Sequence, residues 1–91
     1  MAKVYIPTAL RLFTNGQFEI ALTGENIKDI VGNLVDEYQD LKNHLFTSEG
    51  KLRSFVNIYL NEEDIRTLDN LETKVYEDDK IILVPSIAGG L

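Results

Sequence analysis

In a chain of 91 residues without a cysteine, chemistry has to be sought in the acids, the single histidine and the backbone itself. Two acidic runs, Glu62-Glu63-Asp64 and Glu77-Asp78-Asp79, cluster the oxygens that hard cations take, but neither has the glycine-punctuated spacing of a calcium loop. They read as solvated turns, with steering of a partner as a second use. His44 sits in Lys42-Asn43-His44-Leu45, where no nucleophile and orienting acid accompany it, so it reads as a surface histidine. The remaining candidate is Gly89-Gly90. A pair of glycines lets the backbone enter a channel that any β-carbon would obstruct, which is what an enzyme acting on a C-terminal carboxylate requires. Taken by itself such a pair is more commonly a frayed, functionless end. With no Gly-rich phosphate loop and no paired His/acid constellation, a stand-alone enzyme is the weakest reading.

The bulk properties narrow the partners. A net charge of −6 and a pI near 4.6 repel phosphate backbones and anionic lipid, so neither nucleic acid nor membrane is expected and a basic protein is. Leu, Ile, Val and Phe make up 31 of 91 residues, enough for one small core and no second domain. Absence of cysteine removes disulfides, thiolate metal sites and thiol nucleophiles. The longest apolar run, Ile81 to Val84, is far short of a membrane span, and no signal-type stretch follows Met1-Ala2-Lys3, so a cytoplasmic location is expected.

Lys3 to Thr8 alternates with Val4 and Ile6 on one face, a first strand. After Asn15-Gly16, a pair that readily takes positive φ, Phe18, Ile20 and Leu22 repeat with period two, so a second strand should form a hairpin with the first, Ala9 to Phe13 adding a bulge or loop. Ile27, Ile30, Val31, Leu34, Val35 and Tyr38 recur at helical spacing behind Asn26, an expected N-cap, with Asp29 near the positive end of the helix dipole. Gly32 inside that helix either permits close packing on the sheet or is merely tolerated. Leu41, Leu45 and Phe46 predict a short second helical turn, and Phe55 to Leu60 a strand. Glu62-Glu63-Asp64 is expected to turn, Ile65-Arg66 to form a short strand, Leu68, Leu71 and Val75 to cover a core edge, and Lys80 to Val84 to form the last strand.

One helix covers one face of one sheet, so the order predicts an α+β, β-grasp (ubiquitin-like) architecture: a mixed sheet of four or five strands with one main helix on one face. Residues 1–85 would make the body and 86–91 a flexible tail, with the first and last strands side by side. Six residues reach at most ~20 Å. If Ile58, Leu60, Ile81 and Leu83 face the helix, then Tyr59, Ile82 and Val84 face outward, and neighbouring exposed apolar residues on an open sheet face mark a docking surface.

The tail, preceded by Ile81-Ile82-Leu83-Val84-Pro85-Ser86-Ile87-Ala88, and the segments Val4-Tyr5-Ile6-Pro7-Thr8 and Phe55 to Arg66 together resemble the ThiS/MoaD family of ubiquitin-like sulfur carriers over nearly the whole chain. Within it, the middle segment is most similar to carriers that deliver sulfide for cysteine or related amino-acid biosynthesis, with the molybdopterin synthase small subunit as the close second. The resemblance implies a non-enzymatic co-substrate with no permanently bound cofactor. An adenylyltransferase of the ubiquitin-activating type would use ATP to adenylate Gly90, sulfide or a persulfide would displace AMP, and the thiocarboxylate would donate sulfur. Gly89, Ala88 and Ile87 would be the tail residues recognised, and Tyr59, Ile82 and Val84 the docking residues. The sulfur-accepting partner would be a cysteine synthase-like enzyme or a molybdopterin synthase large subunit. A departure is Leu91, since family members ready for activation end at the second glycine. Leu91 is either a natural residue removed by a JAMM-type metalloprotease or one left by a tag junction. The rival from another class is a ubiquitin-like protein modifier, in which Gly90 would form an isopeptide bond to a lysine.

Overall fold

The chain's first strand lies beside its last. In the computed structural model, which describes residues 1–85, β1 (Ala2–Tyr5) pairs in parallel with β5 (Lys80–Pro85), placing Val4 opposite Ile81 and Tyr5 opposite Ile82. On its other side β1 pairs antiparallel with β2 (Glu19–Leu22), while β5 pairs antiparallel with β3 (Val56–Leu60). The two-residue β4 (Glu63–Asp64) completes a five-stranded sheet of order β2-β1-β5-β3-β4. This is the mixed β-grasp sheet that the order of elements predicts.

One face of the sheet is covered by helix α1 (Ile27–Glu37). Asn26 is extended (φ −146°, ψ 175°), and its Oδ1 accepts from the Asp29 N–H at 2.8 Å, satisfying a backbone donor that the first turn leaves free. Ile27, Ile30, Val31 and Leu34 are fully buried on the stripe facing the sheet. The chain then tightens through a 3₁₀ turn at Gln39–Leu41 into the four-residue α2 (Lys42–Leu45), which buries Leu41 and Leu45 beneath the helix end. Against these elements pack Val4, Ile6, Val56, Ile58, Ile81 and Leu83, an entirely aliphatic layer.

Several expectations change in detail. The β1–β2 connection is a 3₁₀ helix over Thr8–Thr14 that buries Leu10, followed by Asn15 (φ 56°) and Gly16 (φ 80°). Phe18 does not join Ile20 and Leu22 in the core. The chain bends there, directly after the turn, and the ring lies exposed under the Arg11 guanidinium, 5.6 Å from its centroid. The short strand is Glu63–Asp64 and not Ile65-Arg66. Asn61 (φ 49°) and Glu62 (φ 79°) form the reversal, and Asp64 then caps a 3₁₀ turn over Ile65–Thr67 by accepting from the Arg66 N–H at 2.9 Å. Gly32 is tolerated and not required, for a β-carbon there would meet nothing within 4 Å. The close approach is at Gly24, where a β-carbon would lie 2.9 Å from Asp29 Cβ and from Ile30 Cδ1. No helix among the described residues is long and apolar enough to cross a membrane.

Candidate functional site

Strict alternation puts Lys3, Tyr5, Glu19, Ala21, Asn57, Tyr59, Lys80, Ile82 and Val84 on the sheet face opposite α1, because their neighbours Val4, Ile20, Ile58, Ile81 and Leu83 are buried beneath the helix. Register then decides which of them touch. Tyr59 lies directly opposite Ile82, and Ile82 opposite Tyr5, so the two tyrosines flank one isoleucine on three adjacent strands. Tyr5 pairs on with Glu19 and Tyr59 with Asp64, so a single row, Glu19-Tyr5-Ile82-Tyr59-Asp64, crosses all five strands. Val84, 38% exposed, stands one pleat further along beside Asn57.

The three apolar residues singled out from sequence therefore do share one open face. Tyr5 belongs with them and was missed, although its position between Val4 and Ile6 carries the signal: only the register of β1 on β5 tells that it meets Ile82. The row is bordered by charge at both ends. Lys3 Nζ lies 3.5 Å from Glu19. Arg66 Nη2 donates to Asp64 Oδ2 and to Asn57 Oδ1, each at 2.7 Å. Hydrogen bonds from Arg66 hold the Asp64 carboxyl below the usual carboxylate range, and the same pairing raises the guanidinium. An aromatic and aliphatic centre rimmed by paired charges suits burial against another protein better than binding of a small polar ligand.

Gly90, Gly89, Ala88 and Ile87, the expected reactive and recognised tail residues, lie outside the described residues. In sequence they follow Pro85, which ends β5 opposite Val56. The other candidates act structurally. Asp79 accepts from the Tyr76 N–H (2.8 Å) and from Asn61 Nδ2 (2.9 Å), tying the turn before β5 to the one after β3. Glu77 pairs with the N-terminal amine at 3.2 Å. The exposed His44 ring stacks on Phe13, centroids 4.1 Å apart. Among the described residues no three or more His, Asp or Glu side chains gather in a way that could hold a metal ion.

Against known proteins, the model of the ThiS family matches residues 4–90. The chain is 37% identical over 89 residues to sulfur carrier protein CysO of Mycobacterium tuberculosis, covering 96% of each chain. A chain in the crystal structure of the Amycolatopsis orientalis BexX/CysO complex superposes with a TM-score of 0.88 at 33% identity, covering 99% of this chain and 100% of that one. The solution structure of small archaeal modifier protein 1 from Methanosarcina acetivorans superposes with a TM-score of 0.87 at 33% identity, covering 98% of this chain and 95% of that one. Matched in sequence from Val4 to Gly90 and superposable over nearly its whole length on a chain of the BexX/CysO complex, the chain belongs to the ThiS family.

Proposed function

We propose that this protein is a sulfur carrier whose Gly90 becomes a thiocarboxylate and supplies sulfur for the biosynthesis of cysteine or a related amino acid. The observation that carries this reading is the 37% identity to CysO over nearly the full chain. At least one residue, Leu91, follows Gly90, so hydrolysis of that peptide bond comes first, a task for a JAMM-type metalloprotease. A Gly90 carboxylate oxygen then attacks the α-phosphorus of ATP within an adenylyltransferase of the ubiquitin-activating type, and pyrophosphate leaves. Sulfide attacks the acyl carbon of the resulting adenylate, AMP leaves, and the thiocarboxylate remains. Its sulfur then adds to an electrophile held by a cysteine synthase-like acceptor, and hydrolysis of the acyl link to the carrier releases the sulfur-containing amino acid and returns Gly90 to a carboxylate. The carrier contributes no catalytic group. Its outer face, through Tyr59, Ile82 and Val84, docks the activating enzyme, and Ile87, Ala88 and Gly89 occupy the channel leading to ATP. ATP belongs to the activating enzyme, and all steps take place in the cytoplasm.

Two other readings share the activated Gly90. The likeness to small archaeal modifier protein 1 supports a protein modifier, in which a lysine amine and not sulfide displaces AMP. A molybdopterin synthase large subunit as acceptor would make the protein the small subunit of that synthase. The test is intact mass spectrometry of a chain ending at Gly90 after incubation with ATP, sulfide and the activating enzyme. The expected product carries one sulfur in place of one oxygen, while the Leu91 form stays unchanged until the protease is added. A trimmed chain that resists exchange, or that appears on lysines instead, overturns the sulfur-carrier reading.

A further inference from the structure

The sheet has one edge prepared to accept another strand. β2 is its terminal strand, and the antiparallel alternation, fixed by the Ile6 N–H donating to the Phe18 carbonyl at 2.8 Å, turns the main-chain groups of Ile20 and Leu22 toward β1. Those of Glu19 and Ala21 consequently point away from the sheet. Among the described residues no backbone hydrogen bond beyond the β1–β2 ladder reaches either residue. The next outward carbonyl, that of Thr23, accepts from Asn33 Nδ2 at 2.7 Å, so the open length is bounded by a side chain reaching down from α1. The opposite edge offers less, because β4 has only two residues and passes at once into the Asp64-capped turn.

Between this edge and α1 runs a groove of ≈ 500 Å³, with Leu22 and Asn33 along it and Asp36 and Glu37 on its helix side. Both carboxylates are exposed, and they sit in the last turn of α1, where the helix dipole adds further negative potential. The ion pairs among the described residues engage Glu77, Glu19 and Asp64, leaving Asp36 and Glu37 without a cation. A second copy of this chain is the wrong occupant, since each copy carries a net −6 and would set Glu19, Asp36 and Glu37 against their own equivalents.

We propose that β2 and the β2–α1 groove bind an extended, basic segment of a partner protein, which adds a sixth strand to the sheet. Main-chain groups of that segment pair with Glu19 and Ala21. Its outward side chains pass over the small Ala21, and its inward lysines or arginines lay their stems along Leu22 and place their charges between Asp36 and Glu37. This surface is distinct from the open sheet face and independent of what Gly90 carries.

Two substitutions separate the ladder from the charge. Ala21→Pro deletes an N–H that faces away from β1, so the native pairing survives while strand addition is blocked. Asp36→Lys combined with Glu37→Lys changes only exposed positions. The probe is a synthetic peptide of about eight residues alternating lysine with valine, beside one with glutamate at the lysine positions. On the isotope-labelled full chain the lysine peptide should shift the Glu19 and Ala21 amide resonances, slow their hydrogen exchange and perturb Asn33, Asp36 and Glu37. Each variant should weaken its affinity by about tenfold or more. Unchanged affinity in Ala21→Pro, equal binding of the glutamate peptide, shifts confined to other surfaces, or no binding of the lysine peptide would each overturn the proposal.

Discussion

Alternate residues of the same strands build two faces of opposite character. On the inner face Val4, Ile58, Ile81 and Leu83 are 1% exposed or less, all aliphatic, with no side chain able to donate or accept a hydrogen bond. On the outer face their immediate neighbours Tyr5, Tyr59, Ile82 and Val84 stay partly accessible, and charged pairs border them. Volume and hydrophobicity specify the first face, and many aliphatic combinations would serve. Nothing in the fold demands two tyrosines around an isoleucine on the second. The requirements of the fold therefore stop at the inner face, and the character of the side chain changes from one residue to the next along β1, β3 and β5.

The largest blow to this contrast comes from Ile30→Asp. It places an unpaired carboxylate at a fully buried site of α1 against the inner face and should cost on the order of 4–5 kcal/mol, read as loss of the cooperative unfolding transition. Val84→Asp introduces the same group on the outer face. The variant should stay within about 1 kcal/mol of the parent in denaturant titration yet bind the activating enzyme about tenfold more weakly. Unchanged affinity of the folded variant would remove this face from the docking account. Gly32→Ala, a methyl added into open space on the helix that covers the inner face, should stabilise by about 0.5–1 kcal/mol. A loss instead would mean that α1 needs its glycine for a reason outside packing.

The smallest effect concerns the outer rim. Because Arg66 depresses the Asp64 carboxyl in the folded protein, the pair contributes stability above the ordinary carboxylate range, and that contribution is lost as pH falls through the depressed value. Arg66→Ala should return Asp64 upward toward its ordinary titration, seen by carboxyl-detected NMR, and flatten the rise of stability with pH across that acidic window. An unmoved Asp64 would transfer the shift to some other donor.

Much of the body was legible because its signals are local. The helical spacing from Ile27 to Tyr38 and the Asn26 cap specify α1 to within one residue of its observed end, and period two finds β3 and β5. What stayed hidden depends on partners distant in sequence. Tyr5 joins Tyr59 only through β5, so no window of sequence shows the row. Phe18 keeps the period of β2 but loses its place inside to a backbone bend. The Ile65-Arg66 strand gives way to a turn because the Asp64 side chain caps it, a choice between two local structures that apolar patterning does not register. The free edge of β2 is likewise a property of strand order and not of any residue in it.

The parallel pairing of β1 with β5 has a consequence during synthesis. The two ladders at the middle of the sheet, β1 with β5 and β5 with β3, both require the last strand, so a nascent chain that lacks Lys80–Pro85 holds only the separate β1–β2 and β3–β4 pairs. Contacts this remote in sequence carry the loop-closure entropy of almost the whole body, and closure is rewarded only when every residue through Pro85 has left the ribosome. A chain that terminates before β5 therefore gains no half-stable body and behaves as an unfolded polypeptide.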